Sequence, residues 1–174
     1  MVKWMVGAVV LVILAVGLWA FEPWRVFTSS EIDEPVPTVA EEPSASAEPD
    51  VTSPAPVPVP DPVELGSGAF ENAEHETSGR ARVIELADGS RFVRIEDLAS
   101  SDGPDLHVWV TDQPSGGDWG SYDDGHYVRL GELKATHGNQ NYEIPAAADL
   151  DGLRSVVIWC DRFNVAFGSA PVRL

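Results

Sequence analysis

The chain has one cysteine, Cys160, in 174 residues. An internal disulfide is therefore excluded, and the thiol is a buried small hydrophobe, an intermolecular linker, or a working redox or ligand group. Basic charge is scarce as well. Eleven Lys and Arg face 28 Asp and Glu, a formal net charge of -17. That field repels phosphate backbones, so nucleic-acid binding is excluded, as is adhesion to anionic lipid through a polybasic patch. No Cys-x-x-Cys, His-Glu-x-x-His or Cys-x-x-Cys-His motif occurs, which disfavours structural zinc and covalent c-type haem. No Gly-x-Ser-x-Gly elbow and no glycine-rich phosphate loop occurs either, so hydrolysis and nucleotide chemistry have no support.

A long apolar run occurs once, Trp4 to Phe21, 18 positions without a charge, with Lys3 before it and Glu22, Trp24 and Arg25 after it. At about 1.5 Å per residue it spans most of a hydrocarbon core of roughly 30 Å. Residues 1–26 are thus expected to form a single membrane anchor, with Trp4, Trp19 and Trp24 as interfacial rings and the lipid bilayer as partner. Cleavage as a leader at Ala15-x-Gly17 is the rival, and it would leave an apolar LWAFEPW terminus. The basic residues lean toward an inside N-terminus, which places the C-terminal part outside the cytoplasm at the cell membrane.

Residues 27–64 hold nine of the 14 prolines, and no aromatic follows Phe27 in that segment. Such a stretch buries too little apolar area to offset chain entropy and reads as a disordered, semi-rigid spacer. The one expected folded domain is 65–174, with 9 basic and 18 acidic residues.

That domain reads as all-β. RARVIELADGSRFVRIEDL carries two apolar-rich runs around Asp88-Gly89, the signature of a tight hairpin. DLHVWVTD alternates, with Leu106, Val108 and Val110 on one face and His107, Trp109 and Thr111 on the other. Strands are also expected at 126–133, 141–145, 154–160, 163–168 and 170–174. Short strands without a convincing amphipathic helix imply a β-sandwich or jelly roll. In RSVVIWC both faces are apolar, so this strand is expected at the centre of a sheet with Cys160 shielded.

Chemistry has few candidates. The histidines are His75, His107, His126 and His137, none in a ligand pair at helical spacing. One of them brought to Cys160 by the fold would make a ligand pair for a metal or haem iron. Acidic clusters at 102–105, 118–124 and 149–151 invite a calcium reading, but none matches a twelve-residue calcium loop and turn chemistry explains them. The loop Asp112–Gly125 is long and carries Trp119 and Tyr122, a candidate contact surface.

Five blocks in order, GAFENAEHETSGRA, DGSRFVRIEDL, GPDLHVWV, LGELKATHGNQNYEIP and SVVIWCDRFNVAFGSAPV, resemble the DM-thirteen family of electron-transfer modules. The resemblance implies an exported β-sandwich-like domain. It also implies a redox role for Cys160, as a bare thiol or through a prosthetic group such as haem, with His75, Asp105 and His107 matching the family pattern. On it, His107 and His75 become candidate cofactor ligands and an envelope protein or a redox protein the expected partner. The competing reading is a non-enzymatic envelope-binding module in which Cys160 is structural.

Overall fold

The structure, a computed structural model, describes residues 2–21, 28–39 and 61–174. The middle of the expected spacer, residues 40–60, and the flank with Trp24 and Arg25 lie outside the described residues.

The apolar run forms one helix, α1 (Val2–Phe21). Among the described residues, no helix is long and apolar enough to cross a membrane. Several of its side chains, including those of Trp19 and Phe21, lie outside the described set.

Ten strands follow: β1 (Glu31–Asp33), β2 (Val63–Ala69), β3 (Glu71–Asn72), β4 (Ser78–Glu85), β5 (Arg91–Ala99), β6 (Leu106–Thr111), β7 (Tyr127–Glu132), β8 (His137–Ile144), β9 (Ser155–Cys160) and β10 (Val165–Pro171). They build two five-stranded sheets, ordered β1-β8-β5-β4-β2 and β3-β10-β9-β6-β7. The all-β, two-sheet expectation holds. Asp88-Gly89 turns β4 into β5 as expected, with Gly89 at φ 83 and the Leu86 and Ser90 backbones closing the hairpin.

The core lies between the sheets. Alternate residues of β4 and β5 (Ala81, Val83, Val93, Ile95) meet those of β6 and β9 (Leu106, Val108, Val110, Val156, Ile158, Cys160). β9 is central in its sheet and every residue in it is buried. Its outer face is not open to solvent: Val157 and Trp159 pack with Trp109, Tyr122 and Ala166 in a second cluster. The long loop 112–125 provides that cover. Its Tyr122 is fully buried and donates from its hydroxyl to Ser169 Oγ at 2.9 Å, which corrects the expectation that Tyr122 offers a contact surface; Trp119 does stay exposed, at 48%.

The segment read as a spacer contributes at both ends. β1 pairs in parallel with β8 at one edge of the first sheet, and β2 forms the opposite edge. Thr136 and Ser30 exchange hydrogen bonds, and Arg94 donates to the Glu34 carbonyl. Glu34 takes the Lys134 ammonium at 2.8 Å and the Asn141 amide at 2.7 Å. β1 and β2 are therefore separated by the width of one five-stranded sheet, on the order of 20 Å at 4.8 Å per strand. Hydrophobic patterning misses β1 because Ile32 is its only apolar side chain and polar bonds hold it.

Burial raises the Glu34 carboxyl pKa, but the Lys134 hydrogen bond, the Asn141 amide and the charges of Lys134 and Arg94 outweigh it and leave the group below the usual carboxylate value. A depressed carboxyl stabilises docking above the unfolded-chain pKa and loses that contribution as pH falls through the folded value. Acidification below the ordinary carboxylate range, about pH 4, should therefore release β1. The check is amide exchange at Glu34 and His137, whose N–H groups bond across β1 and β8; it should quicken in acid while β4–β5 stays protected.

Candidate functional site

Chemistry-bearing side chains gather at the end of β9, where the chain turns through 161–164 into β10. Asn164 closes the turn in the left-handed region, φ 53, a conformation that its short polar side chain tolerates. Cys160 points into the inter-sheet core beside Val156 and Ile158 and is 0% exposed. Its thiol is shifted upward, first by burial and also by the charge of Asp105, against backbone hydrogen bonds from Phe163, Arg162 and Asp105 that pull it down. The sulfur is a neutral thiol at neutral pH.

β6 runs beside β9 with Leu106 opposite Cys160 and His107 opposite Trp159. Leu106 shares the inward face with the sulfur, so His107 points to the other side of the sheet. The fold therefore separates Cys160 from His107, and the expected Cys–His ligand pair is not formed. His75 is half-buried and packs its ring on Phe167, centroids 4.0 Å apart. His126 is held at the Asp112 loop and His137 beside Thr136, both away from this end.

The outer face assembles a group that sequence spacing did not reveal. His107 Nε2 lies 3.0 Å from Asp105 Oδ1 and 3.5 Å from Asp161 Oδ2. Asp161 also accepts two bonds from the Arg129 guanidinium, at 3.0 and 3.3 Å. The Asp161 amide donates to the Asp105 carbonyl at 3.0 Å, tying the two loops together. Asp105 and His107 stood out through family resemblance, whereas Asp161 had no signal beyond following Cys160. The calcium reading gains nothing at 118–124 or 149–151: Asp149 Oδ1 accepts the Asp151 amide in a local turn.

Beyond this cluster three rings stack along the outer face. Trp159 meets Trp109 at 5.0 Å, and Trp109 meets Tyr127 at 4.6 Å with planes 9° apart. Arg129 lies over the Trp109 ring at 4.5 Å.

A polar cleft of about 250 Å³ opens beside Leu106, lined by Ser30, Asp102, Asp105, Glu132 and Thr136 among others. Cys160 is not in its lining. Haem requires an open face at the ligating atom and a pocket of at least several hundred Å³. The sealed sulfur and this small acidic cleft do not fit it, so haem ligation by Cys160 has no place in the arrangement.

No curated protein and no solved structure matches the chain. The family model described as Electron transfer DM13 matches residues 69–172, from the end of β2 past the end of β10 and through the whole of this site. The chain belongs to the electron transfer DM13 family.

Proposed function

We propose that the domain is an exported redox module whose working group is the bare thiol of Cys160. One observation carries this reading: the electron transfer DM13 match runs through β9 and takes in Cys160, the single thiol of the chain. Family membership supports an electron-transfer role. The complete burial of Cys160 favours small oxidants over protein thiols. A place at the cell membrane, with the domain facing the oxidising side, is proposed from the uncharged run Trp4–Phe21 of the sequence alone. Its redox partner in the envelope would then deliver a small oxidant or reductant to the sulfur.

The step tested is two-electron oxidation by a peroxide: the O–O bond breaks, an S–O bond forms, and the thiol proton leaves with the released hydroxide as water. Hydrogen peroxide followed by a sulfenate trap should label Cys160 in the folded chain, with Cys160→Ser as the blank. Absence of label in folded wild type would transfer support to the second reading, a binding module with a structural cysteine. The exposed Trp119 on loop 112–125 favours that reading.

A further inference from the structure

We propose that Asp105, His107 and Asp161 form a binding site for a divalent transition-metal ion of the zinc or copper class, on the face of the sheet opposite the Cys160 sulfur. The inference stands apart from the thiol chemistry in its ligand atoms; the one link is Asp105, whose charge also acts on the Cys160 thiol.

The three side chains offer one imidazole nitrogen and two carboxylate oxygens that all lie within 4.8 Å of one another. A zinc-class ion holds such ligands at about 2.0–2.1 Å, which requires ligand atoms about 2.9–3.4 Å apart in octahedral to tetrahedral geometry. His107 Nε2 lies 3.0 Å from Asp105 Oδ1, which is already one edge of a coordination polyhedron, and 3.5 Å from Asp161 Oδ2, just beyond a second. Carboxylates only accept, so Nε2 meets them either as an N–H donor or through a metal ion placed between the three atoms.

The ligands are also preorganised. His107 is the second residue of β6, inside the sheet, with Trp159 opposite it on β9. Asp105 and Asp161 flank the adjacent strand ends and are joined by the Asp161 N–H to Asp105 carbonyl bond. All three side chains are neither sealed nor fully open, at 17% for His107, 42% for Asp105 and 22% for Asp161, so an ion can enter and keep water on its free positions. One imidazole with two carboxylates suits borderline metals, and three protein ligands leave an open position. Calcium, which wants six or more oxygens, is poorly served.

Arg129 is the resident competitor. Its guanidinium holds Asp161, is half-exposed, and already lies against the Trp109 ring, where it stays stacked when it gives up the carboxylate.

The test is titration of the full chain in detergent with Zn2+ by calorimetry, and with Cu2+ by electron paramagnetic resonance. One ion per chain is expected, with a nitrogen hyperfine signature from His107. His107→Gln and Asp161→Asn should each weaken binding about tenfold or more, Arg129→Ala should tighten it, and Cys160→Ser should leave it unchanged. Asp105→Asn, at the most exposed ligand, carries the test if another variant fails to fold. The proposal is overturned by wild type that binds neither ion below millimolar concentration, by affinity indifferent to His107 and Asp161, or by loss of binding in Cys160→Ser. Failure of the peroxide labelling above would leave these outcomes unaffected, so the two ideas fall separately.

Discussion

Replacing Trp109 by alanine is expected to cost about 3–5 kcal/mol of folding stability, within reach of the whole stability of a domain this size. Trp109 is 1% exposed and is the middle ring of the stack between Trp159 and Tyr127, with Arg129 across its face. Removing it leaves a cavity under the long loop and strips contacts from both neighbours. The loss should also reach the site, because Arg129 would lose the ring nearest its guanidinium and keep Asp161 and the Tyr127 ring, 5.8 Å away. Its indole Nε1 is buried with no hydrogen-bond partner among the described residues. Trp109→Phe, which deletes that donor and keeps a ring, should therefore be much milder than alanine. Chemical denaturation of the two variants checks the ordering; equal losses would mean that ring stacking contributes little.

The Cys160 thiol should react with a bulky aromatic disulfide on the order of a thousandfold or more slowly in the folded chain than in denaturant. The sulfur is fully buried on the central strand, so such a reagent reaches it only through opening of the sheet, and the protection tracks the opening equilibrium. Leu106 shares the inward face with the sulfur and lines the polar cleft on its other side. Leu106→Ala should accordingly shorten the barrier and raise the rate by more than its loss of stability explains. Stopped-flow absorbance on wild type and Leu106→Ala, normalised by their unfolding free energies, separates the two effects.

Much of this fold was legible because its strands obey a period of two. Leu106, Val108 and Val110 did reach the inter-sheet core, and RSVVIWC did become the central strand with both faces covered. β2 was missed because VELGSGA carries little apolar signal. Its Gly66 and Gly68 are there for space, since a Cβ at either would run into the backbone carbonyls of Val172 and Pro171. FNVAFG and APVRL read as two strands but form the single β10, whose register slips between Ala166 and Gly168. β8 begins earlier than its apolar residues suggest, at His137, because polar residues there pair with β1.

The site was legible only as a list of types. Sequence reasoning marked Cys160, His107 and His75 as possible common ligands, and strand parity sends Cys160 and His107 to opposite faces. That separation follows from pairing register, which no single strand reveals. Asp161 was invisible for the same reason: its approach to His107 depends on two loops meeting at the sheet's end.

The account turns on a sulfur that large molecules cannot touch but that a small oxidant reaches in the folded chain. Its most direct test is the rate of peroxide oxidation of Cys160 divided by its rate with the bulky disulfide, measured on the folded chain and again in denaturant. The account predicts a ratio larger by orders of magnitude in the folded chain; equal ratios in the two states would show that both reagents wait for unfolding, and that Cys160 is only part of the core.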